Sequence, residues 1–452
     1  MLMQGLEMVK INRNRQVKSL PYTSILSVQT KGSASNAKNQ IMKAKMPILS
    51  LEKASELAVI ILFISSAVPY SYRIAEKVSV VVAGVYLSPV EIASILLLVL
   101  AFIYKSTIVS FIVAAILQFF LISPFLCLGI VQNGILEALG DVRALVVIPA
   151  AYVWTKAYVS RFNKTSWWQW TRFLSWLAIM NAVCAVLLGE FQNARFLGLS
   201  EPILVTLVCL SIVIPTVGRF RRYIILTIVL VMIGLSGTRG LWLSFFITVC
   251  AIVAFQRFAR MRSWHMSIVG FFLFAVVTFA IIFNLSPMYY ERFISLFNLS
   301  EDSSMLIRGT DISLALAIGN QRPLLGYGFG KAILTTTYLR EGMYVDNTWI
   351  TAYVKGGIIL IVECLILFVF FGYKILRIST AIKKGQHIPA LLVVGWFAFI
   401  FVSSFRGSLL HSPSLLMLCG IGYGILGGLA MKNNYTDPLR RWTPQRDRVY
   451  TE

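Results

Sequence analysis

Apolar runs of roughly 16–20 residues recur along almost the whole chain. A helix of about 20 residues spans the hydrocarbon core of a bilayer, which is about 30 Å thick. Backbone N–H and C=O groups find no water inside that core, so a segment that crosses it must satisfy them within its own helix. The runs lack the alternating pattern that is typical of barrel strands. The sequence therefore predicts an all-α, polytopic transmembrane helical bundle.

These runs predict about twelve transmembrane helices. Charged residues make up only 13% of the chain, whereas a soluble domain carries about 25%. Residues 78–87 are apolar and β-branched, which predicts a strand-like or re-entrant piece rather than a crossing. The predicted helices cover 55–71, 89–104, 107–123, 143–159, 171–188, 202–218, 222–236, 240–256, 267–285, 349–373, 389–405 and 413–431.

The distribution of Lys and Arg predicts the orientation of the bundle. The formal net charge is +22, but no nucleic-acid-binding signature accompanies it, so no nucleic-acid partner is expected. With the N-terminus in the cytosol, 29 of the 41 Lys and Arg residues fall in cytosolic segments. Cytosolic loops of membrane proteins carry such an excess. Both termini are therefore expected to be cytoplasmic.

The chain divides into five predicted segments. A long extracytoplasmic loop separates the ninth helix from the tenth, and long loops in compact proteins are usually functional. Within it, residues 305–318 predict an amphipathic helix outside the membrane or at its surface, which Pro323 and the glycines that follow then end. The segments are a basic tail (1–53), helices one to nine (54–285), the long loop (286–348), helices ten to twelve (349–431) and a second basic tail (432–452).

Arginine dominates the charge expected on the outer side. Its planar guanidinium grips a phosphate with two hydrogen bonds and stays charged. An arginine-rich outer vestibule suits a pyrophosphate ligand, although any single arginine can instead anchor the protein at the interface. Only three lysines accompany the outer arginines, which are Arg73, Arg143, Arg195, Arg239, Arg292, Arg308, Arg322, Arg340 and Arg406.

Two of these arginines stand at predicted helix starts. Arg239 lies in the turn GLSGTRGLW at 234–242, and the helix N-terminus that follows attracts anions, although the same residues also fit an ordinary turn. Asp141 is expected to cap the helix that begins near Arg143. Arg143 is then either a second phosphate contact or the ion partner of Asp141.

Candidates for acid–base chemistry lie at the end of the long loop and two helices later. Asp346 and Asn347 precede a helix, so either could be its N-cap, or Asp346 could act as a general base for a hydroxyl. Nearby arginines are expected to hold the pKa of Asp346 low. His411 is the one histidine expected on the outer side; it either takes part in proton transfer there or is an incidental interfacial residue.

The sequence offers no pattern for a metal or nucleotide cofactor. It contains no His/Cys cluster, no H-E-x-x-H, no D-x-D and no phosphate-binding G-x-x-x-x-G-K-S/T. The six cysteines lie in or beside apolar segments, which predicts free thiols. No cofactor is therefore expected, and an ATPase or a cytosolic nucleotide-sugar transferase is not favoured.

Three ordered segments resemble the O-antigen polymerase and O-antigen ligase superfamily. They are SGTRG at 236–240, IRGTDISLALAIGNQRPLLGYGFGK at 307–331 and VDNTWITAYVKGGI at 345–358. Members of that family have a small-residue/Arg turn between two helices, then a long outer loop with an Arg-led helix and a P-x-x-G-x-G-x-G turn. A His-Asn or Asp-Asn step into a helix follows. The match covers about 125 residues (236–358); elsewhere the likeness is one of topology.

The resemblance implies a metal-independent glycosyltransferase in the bacterial plasma membrane. It would polymerise undecaprenyl-pyrophosphate-linked repeat units into a surface polysaccharide or exopolysaccharide at the outer face. Arg239 and Arg308 would bind the pyrophosphate and Asp346 would activate the acceptor hydroxyl. The implied partners are the lipid-linked glycan, membrane lipid, a flippase and a chain-length regulator. The remaining candidate substrate-binding residues are Arg143, Asn347, Arg406 and His411.

Two other functions stay open at this point. A ligase would transfer finished glycan to a lipid acceptor, but ligases usually carry His before the Asn, whereas this chain has Asp346 there. A transporter or flippase would suit a twelve-helix bundle. Transporters place substrate charges near the bilayer midplane and are often built from inverted repeats, whereas here the outer charges collect at one surface and no inverted repeat is evident.

Overall fold

The computed structural model describes most of the chain between Ser50 and Tyr435. The predicted tails 1–53 and 432–452 lie almost wholly outside the described residues, and so does much of the predicted helix 267–285. The described residues are 50–68, 80–82, 85–159, 167–187, 191–192, 195–196, 199–214, 219–258, 276–278, 280–281, 284, 287–294, 303–335, 340–342, 345–382 and 387–435.

The described residues are mainly helical, as the sequence predicts. The α-helices are α1 (Leu51–Ala67), α2 (Pro89–Ala101), α3 (Lys105–Asn133), α4 (Ile135–Val142), α5 (Val147–Tyr158), α6 (Trp167–Leu187), α7 (Glu201–Val213), α8 (Arg219–Leu235), α9 (Arg239–Phe258), α10 (Pro287–Ile294), α11 (Ser303–Gly319), α12 (Thr348–Ile382), α13 (His387–Arg406) and α14 (Pro413–Tyr435). Short 3-10 helices cover Arg143–Val146 and Leu409–His411.

Three short antiparallel hairpins accompany the helices. The strand-like prediction for 78–87 is confirmed, because Val80–Val82 (β1) pairs with Val85–Leu87 (β2). The other two hairpins join Phe191–Gln192 (β3) to Arg195–Phe196 (β4) and Ile333–Thr335 (β5) to Arg340–Gly342 (β6). The last hairpin lies inside the predicted long loop, after α11.

Five of the described helices are long and apolar enough to cross a membrane. Several other apolar helices are shorter; α2 and α7 have 13 residues each, or about 20 Å of helix. The protein is thus an all-α membrane-type bundle, and the prediction of twelve crossings stays a prediction. The five candidate spans are Thr107–Asn133, Trp167–Leu187, Arg239–Phe258, Thr348–Arg377 and Ile388–Arg406.

The main apolar core lies where α1, α5, α7, α9, α13 and α14 meet. Helix α14 packs closely along α5 because glycines at every fourth position face it. A Cβ at Gly420 would meet the Ile148 carbonyl oxygen at 2.5 Å, and one at Gly424 would meet the Tyr152 carbonyl oxygen at 2.7 Å. Small residues at this spacing let helices approach closely in lipid, where van der Waals packing drives their association.

Helix α12 is interrupted at Gly357, whose φ and ψ are 60° and −157°. In a continuous helix, Ile358 and Ile359 would donate their N–H groups to the carbonyls four residues earlier. Here they donate instead to the carbonyl oxygens of Pro323 and Leu324, at 2.8 and 3.4 Å. The break therefore leaves two hydrogen bonds of a regular helix unformed.

Backbone N–H groups of the turn 323–330 donate to the carbonyls that the break in α12 leaves without helical partners. Tyr327 N–H donates to the Val354 carbonyl at 2.9 Å, and Gly328 N–H donates to the Lys355 carbonyl at 2.8 Å. On its other side the turn contacts α3, because Asn133 Nδ2 donates to the carbonyls of Tyr327 and Phe329 at 3.0 Å each. We refer to residues 323–330 as the glycine turn.

The close contacts of the glycine turn explain its pattern of alternate glycines. Gly328 has φ +78°, and a Cβ there would lie 2.2 Å from the Gly129 nitrogen in α3. A positive φ is a conformation that side chains other than glycine rarely adopt. The P-x-x-G-x-G-x-G pattern is therefore required by backbone contact between two helices.

We predict that Gly328→Ala destabilises the protein by about 3 kcal/mol, because it adds both a positive-φ cost and a backbone clash. The matched control is Gly309→Ala, where a Cβ meets nothing within 4 Å and alanine favours the helix by up to about 1 kcal/mol. Thermal unfolding of both variants in detergent measures the difference. A Gly328→Ala protein as stable as wild type would contradict the tight insertion of the turn.

Candidate functional site

Helix α12 begins with Asn347 as its N-cap. The Asn347 Oδ1 atom accepts hydrogen bonds from the N–H groups of Trp349 (2.9 Å) and Ile350 (3.1 Å). Asn347 Nδ2 also donates to the Phe405 carbonyl at 3.4 Å. Of the two capping candidates, Asn347 therefore caps the helix, and the carboxylate of Asp346 is not used for capping.

Asp346 faces the arginine of α11. Arg308 Nη2 lies 3.8 Å from Asp346 Oδ2, and the two side chains are 43% and 50% exposed. Asp311, one turn after Arg308, is buried and acts electrostatically on Asp346 as well. The ion pair is half-open to solvent, and such pairs contribute little to stability, so both groups remain accessible to a ligand.

Arg406, at the end of α13, is the second arginine whose charge acts on Asp346. Its guanidinium forms an ion pair with Glu201 at the start of α7. The Arg406 Nη2 atom also donates to Ser403 Oγ at 3.3 Å. Helix α13 thus ends beside the start of α12 with the guanidinium of Arg406, which Glu201 and Ser403 hold in place.

Helix α9, which begins at Arg239, lies against the side chain of Arg406. A Cβ built on Gly240, the neighbour of Arg239, would lie 2.8 Å from Arg406 Cδ, so the side chain of Arg406 lies against the first turn of α9. Arg308, Asp346 and Arg406 therefore come from three segments of the chain, and Arg239 begins a fourth segment that lies beside Arg406. We call Arg308, Asp346 and Arg406 the arginine–carboxylate cluster.

The start of α12 is joined to the end of α13 by a set of polar contacts. Thr348 Oγ1 donates to the Gly407 carbonyl at 2.8 Å and accepts from Leu409 N–H at 2.7 Å. The Trp349 indole N–H donates to Ser404 Oγ at 3.0 Å. These bonds join the residues that follow Asp346 to the residues on either side of Arg406, and so limit the distance between Asp346 and Arg406.

The pKa of Asp346 is raised, and the expectation of a low value is wrong. Partial burial raises the pKa most, and the charge of Asp311 raises it too, while Arg308 and Arg406 lower it without reversing the direction. Desolvation and a like charge both disfavour the ionised form. A carboxylate with a raised pKa is a stronger base than an ordinary surface aspartate.

A second, fully buried charge network lies around Asp141. Lys355 Nζ forms an ion pair with Asp141 Oδ2, and both side chains have 0% exposure. His411 Nε2 bonds to Asp141 Oδ1, and Gly330 N–H donates to Asp141 Oδ2 at 2.7 Å. One carboxylate therefore binds α12, the 3-10 helix after α13 and the end of the glycine turn.

Asp141 does not cap a helix, so that expectation is wrong. It lies near the end of α4, and its carboxylate is used by the buried network. Arg143 pairs with Glu91 Oε1 at 3.2 Å and donates to the Gly140 carbonyl at 2.8 Å, rather than pairing with Asp141. Of the predicted site residues, Arg143 and His411 thus belong to this network and its surroundings.

The pKa directions at this network favour an aspartate anion beside a neutral histidine. Burial raises the pKa of Asp141, but the His411 hydrogen bond and the Lys355 charge outweigh it and lower the pKa. Burial lowers the pKa of His411 more strongly than Asp141 raises it. We therefore assign the imidazole proton of His411 to Nε2, which donates to Asp141. His411 Nδ1 then accepts a hydrogen bond from Ser408 Oγ at 3.0 Å.

The order Ser408, His411, Asp141 is superficially that of a hydrolase triad. In a working triad the carboxylate stabilises the imidazolium that forms during catalysis. Here Lys355 already balances the charge of Asp141, and Ser408 is buried at 8% exposure. Ser408 and His411 are also neighbours within one turn. The arrangement therefore fits a structural network.

The residues that sequence reasoning missed are Lys355, Glu201 and Asp311. Lys355 sits seven residues inside an apolar helix and directly before Gly356-Gly357, and a charge within an apolar span is a signal for a buried partner. Glu201 carried no such signal, because an acidic residue in the first turn of a helix has an ordinary role there. Within the described residues, no group of three or more His, Cys, Asp or Glu could hold a metal ion.

The chain matches no protein-family model and no curated protein.

We predict that Lys355→Met lowers stability by about 3 kcal/mol, because it leaves the buried Asp141 carboxylate without its cation. The double change Asp141→Asn with Lys355→Met removes both charges and should recover most of that loss. Thermal unfolding in detergent of the single and double variants measures the coupling. Additive losses would show that the two charges do not depend on each other.

Proposed function

We propose that this protein polymerises undecaprenyl-pyrophosphate-linked oligosaccharide units at the outer face of a bacterial plasma membrane. The observation that carries the proposal is the half-exposed carboxylate of Asp346, which pairs with Arg308 and also lies in the field of Arg406, with Arg239 at the adjoining helix start. Cations and a base are the two groups that such a transfer requires.

The chemistry transfers a glycan from pyrophosphate to a hydroxyl. The acceptor oxygen attacks the anomeric carbon, the bond from that carbon to the pyrophosphate oxygen breaks, and undecaprenyl pyrophosphate leaves with the electron pair. Asp346 takes the proton of the hydroxyl. Guanidinium groups held in place before the reaction stabilise the charge that develops on the leaving group, so no metal ion is needed in this scheme.

The state of Asp346 supports the role of base. A general base works best when its pKa lies near the operating pH, and burial together with Asp311 raises the pKa of Asp346. Arg308 at 3.8 Å is near enough to orient the carboxylate yet leaves the ion pair loose. A diphosphate that binds Arg308 would weaken this pair and free the carboxylate.

Polymerisation is preferred to ligation because of the residue at position 346. The resemblance associates ligases with His before the Asn, and this chain has Asp346 before Asn347. A purified polymerase fed a single lipid-linked unit produces a ladder of products. A ligase requires a second acceptor, so the same experiment separates the two functions.

The break in α12 is a feature that transporters also have. Transporters often bind ions or substrates at breaks in their helices, and α12 is broken at Gly357. However, the backbone groups exposed by this break bind the protein's own glycine turn, and Lys355 beside it is paired with Asp141. The break is filled by the chain itself, which favours a structural role for it.

We predict that Arg308→Ala and Arg239→Ala each reduce chain elongation at least about 100-fold, the typical effect of losing one group that stabilises charge in the transition state. Membrane insertion should be unaffected. Gel analysis of the polymer ladder made by purified protein from a lipid-linked unit provides the measurement.

The matched control for these variants is Arg322→Ala. The Arg322 guanidinium lies over the Tyr327 ring at 4.8 Å, so its charge has another contact. Elongation by this variant should stay within a few-fold of wild type. Wild-type polymer from the Arg308 and Arg239 variants would refute the pyrophosphate role.

The raised pKa of Asp346 leads to a prediction about pH. Elongation should rise with pH as Asp346 ionises, with a midpoint above the ordinary aspartate value of 3.8. Asp311→Asn removes a like charge and so lowers the pKa of Asp346, which should move the rising limb to lower pH. Initial rates across pH measure the shift; a limb that stays in place or moves to higher pH would exclude Asp346 as the titrating base.

A further inference from the structure

The carboxylate of Asp141 binds three segments that each lead to a different part of the arginine–carboxylate cluster. Lys355 lies nine residues after Asp346 in the same stretch of chain. His411 lies five residues after Arg406. Gly330 ends the glycine turn that follows α11, the helix of Arg308.

We propose that Asp141 is the positioning residue of the arginine–carboxylate cluster. It touches no substrate; through Lys355, His411 and Gly330 it sets where Asp346, Arg406 and Arg308 stand relative to one another. The proposal rests on the proposed function only for the identity of what the cluster binds. Its geometric content concerns the three segments alone.

Helix α4 is suited to hold this carboxylate still. Arg143, two residues after Asp141, is tied to Glu91 of α2, and Glu91 itself completes the cap of α2 by accepting from Ser88 N–H at 2.6 Å. The end of the glycine turn lies directly on α4, since a Cβ at Gly330 would be 2.7 Å from the Ala138 nitrogen. The backbone of α4 around Asp141 is thus held by contacts other than those of its carboxylate.

Burial restricts each of the three bonds of Asp141 to its present partner. Asp141 and Lys355 have no exposed side-chain surface and His411 is 12% exposed. In such a site a lost partner is not replaced by water, so each segment has one favourable position. A site of this kind tolerates little displacement, because transfer reactions depend on placement to within about 1 Å.

The competing explanation is that the network only stabilises the fold, and distances across the cluster separate the two. Spin labels are attached to cysteines that replace Gly309 and Gly407, beside Arg308 and Arg406, in a background without the native cysteines. A Cβ at either position meets nothing within 4 Å. Electron paramagnetic resonance then gives the distribution of distances between the labels.

The test variant is Asp141→Leu with Lys355→Met, which removes the charges and all three ties while keeping the volume filled. A second variant, His411→Phe, cuts only the tie to the segment after α13, so a failure of the first to fold leaves the test intact. We expect either variant to widen the distance distribution about twofold. Glu363→Gln changes a charge in α12 outside the network and should leave the distribution unchanged.

The outcomes separate this inference from the proposed function. Folded variants that keep the wild-type distribution would overturn the positioning role and leave a purely stabilising network. A widened distribution, together with a wild-type protein that elongates no lipid-linked unit, would support the positioning role and refute the polymerase function. If both hold, His411→Phe should lose elongation at least tenfold at temperatures where thermal unfolding shows that the variant is still folded.

Discussion

The exchange of backbone hydrogen bonds between the broken helix α12 and the glycine turn is the contact on which the rest of the site depends. The break frees the carbonyls of Val354 and Lys355, and the turn occupies them with two N–H groups. The same exchange brings Gly330 next to Asp141. Without the inserted turn, buried backbone groups would lack partners in an apolar surrounding, which costs several kcal/mol for each group.

Two groups of charges result, and they differ in solvation. Around Asp141 the carboxylate is fully enclosed and saturated by Lys355, His411 and a backbone N–H. Around Asp346 the ion pair with Arg308 is long and half-exposed. Buried, saturated charges fix geometry, whereas partly solvated charges can change partners when a ligand arrives. The division suits the proposed anion site, which would have to bind its ligand without losing its shape.

Part of the candidate site could be predicted from the sequence, for reasons that are local. The turn at Arg239, the arginine of α11 and the Asp346-Asn347 step are each carried by short motifs, and the β-branched residues of 78–87 indicate a strand. Capping by Asn347 was one of two open possibilities. Expectations that depend on distant contacts failed: Asp141 is no cap, and burial reverses the expected pKa direction of Asp346.

The helical, membrane-type character of the protein follows from the amino-acid sequence alone, because the bilayer imposes the length and apolar composition of its spans on the chain directly. The glycines of the turn likewise mark where backbone must approach backbone. Which charges share a site depends instead on the packed bundle, since Lys355 and His411 lie 214 and 270 residues from Asp141 along the chain. Ion pairs act through space over a few ångströms, and no local pattern encodes the distance between two segments that meet only after the bundle has packed.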